Sequence, residues 1–381
     1  MTKKARIRVL LFLFVLALAL ILAVAFGITY IFGLRATWEF SIAHNFNTLP
    51  QSLVHTTEGG AFIADHNSTS FVNVNGQAAF QHIHNIYNPV LIGRGAYAAV
   101  IESRGQVAHV YNAGGRVYTV NTPSPIRAFA LSYTGYLGII MHSNNGYDIQ
   151  IHSAVGMPFY GRHVDQFISP VALDISKDGR YIAISYVDIN DARMNSLIKF
   201  IFFDSAAFNI QALQEDGQVD GIFASHADNP NQIMGYLRFV TSNRLMAISD
   251  SRIALIDPHN NAQILWEIEL NNRISRIVKE DGWFAVAYGE QLINRSGYSH
   301  DTVVVYNMQG NVMMRHSSVA VEAISAFGDL LMISGGGRSY IYNVQNGEEL
   351  AALSSVGDMR LINNRATLEL LSIEARILNR D

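Results

Sequence analysis

The chain contains no cysteine. That excludes disulfides, thiolate metal sites and a lipid-modified cysteine, and it fits an extracytoplasmic protein that avoids oxidation. Charge is also sparse. Asp, Glu, Lys and Arg make up 15% of the 381 residues, against 49% hydrophobic ones. Such a composition builds a large core rather than a disordered tail. Neither a Gly-x-Ser-x-Gly nucleophile turn nor a His-Glu-x-x-His helix occurs. Gly335-Gly336-Gly337 lacks the following Lys-Ser/Thr of a phosphate loop and reads as a loop between strands. No cofactor and no metal are expected.

The charges are unevenly placed. Residues 1–35 carry five basic residues and no acid, leaving 22 basic and 31 acidic residues in the remainder, a net of −9. An acidic body of this kind argues against a broad phosphate-binding surface, so nucleic acid is not an expected partner.

The basic start leads into a long apolar run. Residues 9–26 are uninterrupted apolar, and the largely apolar stretch continues to Leu34. As a helix it would span about 39 Å at ~1.5 Å per residue, enough to cross a ~30 Å hydrocarbon layer with tilt. Lys3, Lys4, Arg6 and Arg8 precede it and only Arg35 follows closely, so the amino terminus is expected in the cytoplasm and the body outside. Ala23-Val24-Ala25 has the small-x-small pattern of a signal-peptide cleavage site. The apolar sequence beyond it favours a retained signal-anchor. The division expected is a cytoplasmic tail at 1–8, a transmembrane helix at 9–34 and the body at 35–381.

What the body has in abundance is turns. Hairpin turns recur near Gly60, Gly95, Gly135, Gly179, Asn243, Gly282, Gly328 and Asn364, each followed by a short apolar run. The clearest copy is Ser176-Lys177-Asp178-Gly179-Arg180-Tyr181-Ile182-Ala183-Ile184. The spacing averages about 43 residues, the length of a four-stranded propeller blade. A second hairpin follows in several units, as in Phe71-Val72-Asn73-Val74-Asn75-Gly76 and Val303-Val304-Val305-Tyr306-Asn307-Met308-Gln309-Gly310. Asn and Gly tolerate the positive φ that tight turns need.

Each unit therefore reads as strands a, b, c and d. After the turn at Asn364 only two strands remain, so the last unit lacks its outer one. Trp38-Glu39-Phe40-Ser41-Ile42 is expected to supply it and close the ring. The fold expected is all-β: an eight-bladed β-propeller, or a seven-bladed one if a terminal unit is degenerate, preceded by one transmembrane helix. This cadence resembles the WD40-like and quinoprotein-like propellers, although their Gly-His, Trp-Asp and tryptophan-docking signatures are absent. With its single anchor the chain resembles the membrane-anchored propeller proteins of unknown function in Gram-positive bacteria. That resemblance implies fold and topology, and no activity.

Strand order puts the a–b and c–d turns on one face of the disc and the b–c and d–a loops on the other. Three long insertions, 187–196 (b–c, blade 4), about 215–232 (d–a, blades 4 to 5) and 289–301 (b–c, blade 6), would all fall on the loop face. Functional loops gather in this way on rigid scaffolds. The candidate recognition residues are Asp188, Asn190, Asp191 and Asn195 in the first, His226, Asp228 and Asn229 in the second, and Arg295, Tyr298 and His300 in the third. The first group resembles a loose Ca²⁺ loop without the Gly and Glu of an EF-hand. His82 and His84, two apart on an outer strand, face the same way; that spacing can begin a metal site, and a pair of exposed polar side chains is the simpler reading.

The function expected is non-enzymatic: an anchored, extracytoplasmic module that binds or scaffolds a protein or cell-envelope partner through its membrane-distal loop face. A glycan hydrolase or lyase would instead need carboxylates or histidines converging on the axial ends of the innermost strands. A structural subunit of a membrane complex would show an exposed apolar patch.

Overall fold

The computed structural model describes residues 38–188, 195–202, 222–226, 233–249, 251–270, 274–291, 298–317, 321–354 and 357–381. The expected membrane helix lies outside them. Among the described residues there is no helix long and apolar enough to cross a membrane.

The body is an eight-bladed propeller. Eight antiparallel sheets of four strands follow one another in sequence, so the seven-bladed alternative does not hold. All eight a–b turns fall where the Gly and Asn positions place them. The side chain that ends the preceding strand often builds the turn. In the c–d hairpins, Asn73 Oδ1 accepts from the amides of Asn75 and Gln77, and Asn307 Oδ1 from those of Gln309 and Asn311. In the a–b turn of blade 4, Ser176 Oγ accepts from the amides of Arg180 and Tyr181. These side-chain caps hold the turn conformation without help from elsewhere in the fold.

The core lies in the seams between blades. One cluster joins Ile140, Ile149 and Ile151 of blade 3 to Leu173, Ile182 and Ile184 of blade 4. Another joins Ala61, Ile63 and Val72 of blade 1 to Leu368 and Ile377 of blade 8. Strand b has a neighbouring blade on both faces and is apolar and buried through its middle. In blade 2 (Tyr97–Glu102) Ala98, Ala99, Val100 and Ile101 are all fully buried. Strand d lies at the rim and alternates, as Gln263–Glu269 does between exposed and half-buried positions. The small alanines let blades approach; the period-2 pattern returns only where one face meets water.

The eighth blade takes its outer strand from the amino-terminal side. Phe40–Asn47 pairs antiparallel with Glu374–Arg380, from Phe40 opposite Arg380 to Asn47 opposite Glu374. The strand starts two residues later and runs further than the piece Trp38–Ile42 indicates. Ser41 Oγ donates to Asp381 at 2.7 Å and Asn45 Nδ2 to Glu374 at 3.0 Å across the closure.

Blades also lock through aromatic side chains on turn glycines. Gly135, in the a–b turn of blade 3, has φ +86° and lies under the Tyr97 ring of blade 2. Tyr118 of the same blade donates its hydroxyl to the Gly135 carbonyl at 2.6 Å. A Cβ at Gly135 would come within 2.8 Å of the Tyr97 ring. Gly135→Ala is expected to cost on the order of 2 kcal/mol, from the left-handed backbone and the displaced tyrosine together. Urea unfolding of the variant beside the parent, read by far-UV dichroism, checks this; an unchanged midpoint would refute the docking role.

Candidate functional site

The most concentrated polar assembly lies at the axis, on the turn face, where the innermost strands end. Strand a of blade 2 (Pro89–Arg94) ends in Gly93-Arg94-Gly95. A side chain at Gly93 would collide with the His55 ring of blade 1, so glycine there lets His55 lie beside Arg94. Arg94 reaches past blade 3, donating Nε to the Leu131 carbonyl at 3.2 Å and Nη2 to Asp174 of blade 4 at 2.8 Å. Asp174 Oδ2 accepts from the Phe239 amide of blade 5 at 2.6 Å. One ion pair thus ties four consecutive blades. Its side chains are only 10% and 2% exposed.

Around this pair, Lys177 of blade 4 bridges to Asp281 of blade 6 at 2.8 Å. The ammonium groups of Lys177 and Lys279 lie 5.4 and 6.0 Å from the centre of the Tyr133 ring. Burial pushes the Asp174 carboxyl upward, against the pull of Arg94 and the Phe239 amide. Burial, with the positive charges of Arg94 and Lys177, holds Lys279 down at about 8 despite Asp281. Burial, then Arg360 and Arg94, lower His55 to about 4. Arg360 itself pairs with Asp358 at 2.7 Å. Asp174, Asp281 and Asp358 each contact a cation, while Asp358 Oδ1 stays buried without a partner and burial pushes the Glu280 carboxyl upward.

A second assembly sits in the seam between blades 1 and 2. His82 and His84 do face the same way, and His109 of blade 2 joins them, with ring centres 5.2 to 5.9 Å apart. Four of the nitrogens are engaged within the protein, while His84 Nδ1 is buried without a hydrogen-bond partner. His82 Nδ1 pairs with the Tyr111 hydroxyl and its Nε2 accepts from Arg116, both at 2.8 Å. His84 Nε2 pairs with Thr69 and His109 Nδ1 with Thr119. Among the described residues no group of three or more His, Asp or Glu is arranged to hold a metal ion. Burial, followed by the neighbouring His82, His84 and Arg116, lowers His109 to about 4.

A third feature is an open cleft of roughly 820 Å³ on the loop face, between blades 8 and 1. Asn47, Thr48, Asp65 and Gln81 line it together with Leu49 and Ile83. Leu49 (38% exposed), Ile83 (79%) and Ile373 (64%) present large apolar groups on this part of the face, and Tyr87 (79%) is exposed in the connection from blade 1 to blade 2. Thr48 and Ile373 are joined by a backbone hydrogen bond of 2.9 Å, which places the isoleucine beside the cleft.

The recognition residues expected from sequence fall differently. Asn190, Asp191, Asp228, Asn229 and Arg295 lie outside the described residues. Asp188 and Asn195 are not loop residues: they pair as the last rung of the b–c hairpin of blade 4. Tyr298 pairs with Gln291, and His300 lies in the same extended strand (Tyr298–Asn307), so most of 289–301 is a lengthened hairpin. His226 ends a strand, Ile222–His226, which is the outer strand of blade 4. This corrects the position of the second insertion. Residues 203–221, between the third and the outer strand of blade 4, lie outside the described residues. The short strand was missed because turn-forming residues flank it on both sides, Asp220-Gly221 before and Asp228-Asn229-Pro230 after.

Fold and sites together define an eight-bladed β-propeller with a polar axial hub. The chain belongs to a family of unknown function, DUF5711, which it matches over residues 50–362. No protein of curated function matches the sequence. Its fold is similar to that of BamB from Moraxella catarrhalis (TM-score 0.51, 13% identity, 90% of this chain and 98% of that one). It is also similar to apo AztD from Citrobacter koseri (0.53, 10%, 84% and 96%) and to the Dos1 propeller (0.55, 10%, 89% and 95%). At these identities the likeness is one of fold.

Two expectations follow. Asp174→Ala, which leaves Arg94 buried without its partner, should cost about 3–5 kcal/mol, and Arg94→Met/Asp174→Leu should recover part of that. Urea midpoints of the two variants check the order; a double variant weaker than the single one refutes it. The second concerns pH. His55 and His109 sit near 4 in the folded protein against 6.5 when free. Below about 6.5 the unfolded chain binds more protons, so stability is full above that pH and falls as pH drops toward 4. His109→Gln should show a shallower fall over this window than the parent in urea titrations from pH 7 to 4.5; parallel curves would count against it.

Proposed function

We propose that this protein is a membrane-anchored binding propeller that engages a protein or envelope partner through its loop face at the seam of blades 8 and 1. The observation that carries the reading is the exposure of Leu49, Ile83 and Ile373 around a cleft lined by amide and hydroxyl groups, with exposed Tyr87 in the connection that follows. Apolar side chains clustered in this way, with polar groups at their rim, mark docking surfaces on proteins otherwise well covered.

The apolar run at 9–34 and its flanking charges support a single-pass anchor with the propeller outside the cytoplasm. The closing strand begins on the turn face, at Phe40 opposite Arg380. We therefore orient the turn face toward the membrane and the cleft away from it. A structural subunit of a larger membrane complex is the second reading, favoured by the same apolar patch, and it differs in giving a permanent rather than an exchanging association.

Proximity labelling from the anchored protein tests both. Ile83→Asp with Tyr87→Ala should remove one discrete set of labelled neighbours while the urea midpoint stays within about 0.5 kcal/mol of the parent. Labelling unchanged by the double variant sinks the docking site. Added protease should cut at the loop-face residues near Tyr87 before the turns; the reverse order sinks the orientation.

A further inference from the structure

We propose that the seam between blades 1 and 2 is a latch opened by acid: His82, His84 and His109 fit together only as neutral rings, and protonation frees the outer strand of blade 1 before the ring as a whole unfolds. Gln81 and Ile83, on the other face of that strand, line the loop-face cleft, so a partner held there as proposed above would be released by acid. The latch itself does not rest on that reading.

Hydrogen-bond geometry fixes the charge state of the cluster. A guanidinium has no lone pair to accept with, so the 2.8 Å contact from Arg116 Nη1 requires a lone pair on His82 Nε2. The ring proton then sits on Nδ1 and is donated to the Tyr111 hydroxyl at 2.8 Å. A second proton on His82 has only Nε2 to go to. It would break the bond from Arg116 and set an imidazolium against a guanidinium. His84 meets a different obstacle. Its Nε2 pairs with the Thr69 hydroxyl, and its Nδ1 is buried without a partner. In an imidazolium both nitrogens are donors, and the buried one would have no acceptor. His109, 8% exposed, pairs Nδ1 with the Thr119 hydroxyl and lies 5.2 Å from His82 and 5.7 Å from His84, centre to centre.

Asp65 is the acid that favours a charge here, acting on His84. Its own oxygens accept from the Asn67 and Ser68 amides and from the Ser68 hydroxyl. Among the described residues no carboxylate hydrogen-bonds any of the three rings. Burial and then Arg116 lower His82, and burial and then His82 lower His84 against the pull of Asp65. Burial, followed by His82, His84 and Arg116, holds His109 at about 4. Each ring therefore takes up a proton more readily once the seam opens. Closure is full above about 6.5 and weakens as pH falls toward 4. The fastening of blade 5 does not titrate. There Trp266 stacks on Phe284 of blade 6 at 5.9 Å and donates Nε1 to the Met308 carbonyl at 2.8 Å. Acid leaves that contact untouched and attacks the histidine one.

The test is hydrogen exchange on the full chain in detergent micelles at pH 7.5 and pH 5, each referred to the intrinsic rate at that pH. One histidine at about 4 when closed and 6.5 when open raises the opening equilibrium about thirtyfold between these conditions, so protection across Ala78–Ile83 should fall by that factor or more. Protection across Gln263–Glu269, the outer strand of blade 5, should stay within about threefold. Arg116→Met removes the clash that a second proton on His82 would meet, and His82→Gln keeps an acceptor for Arg116 that cannot titrate. Each should reduce the fall at Ala78–Ile83 to about a third of the parent's or less, with far-UV dichroism confirming the fold. Protection at Ala78–Ile83 unchanged by pH, an equal fall at Gln263–Glu269, or both variants falling as far as the parent would each overturn the proposal.

Discussion

The Arg94–Asp174 ion pair is the constraint on which the angular arrangement of the blades depends. Blade seams are held by burial of isoleucine, valine and alanine, and that force scales with area and has no direction. Apolar surfaces alone leave neighbouring blades free to slide by small amounts. A charge-assisted hydrogen bond of 2.8 Å has an axis and tolerates little displacement. Because the same two side chains also bond Leu131 and Phe239, the direction they set is imposed on blades 2 to 5 at once. Taking two charges out of water is costly, and the additional hydrogen bonds are what offset it.

The rim is secured on a different principle. Joining Phe40–Asn47 to Glu374–Arg380 closes nearly the whole chain into a ring, and the entropy of doing so rises only slowly with loop length. A ladder of backbone hydrogen bonds is enough. The exposed contacts Ser41–Asp381 and Asn45–Glu374 add little beyond register, since water competes for both partners. The hub is therefore specified by buried charge and the rim by backbone pairing.

This difference explains what could be read from the residues in order. Turn chemistry is local: Gly135, Gly179, Asn243 and their counterparts announce a positive φ or a side-chain cap within four residues, and all eight units were legible on that basis. The closing strand was legible by counting, because the last unit lacked a partner. The outer strand of blade 4 was not, since Ile222–His226 is five residues long and flanked by turn formers. The hub was not legible either. Arg94 and Asp174 are 80 residues apart, and each reads alone as a polar residue beside a turn. A local signal did exist in Gly93-Arg94-Gly95, where two glycines clear space on either side of one arginine. His109 was hidden for a related reason. It sits in an ordinary strand, and only the packing of blade 2 on blade 1 brings it to His82 and His84.

The loop-face cleft stands at the seam where the ring closes, and this has a thermodynamic consequence. Leu49 follows the closing strand directly, Ile373 joins strands b and c of blade 8, and Ile83 ends the outer strand of blade 1. The Thr48–Ile373 hydrogen bond ties the first two together. Opening the closure would separate these side chains and dismantle the patch. A partner that binds the assembled patch and not the opened one must, by mass action, stabilise closure in proportion to its occupancy. The coupling runs both ways, so a lesion in the closing strand weakens partner binding without touching a contact residue. For the docking surface proposed at this seam, a closed ring would be the condition for binding.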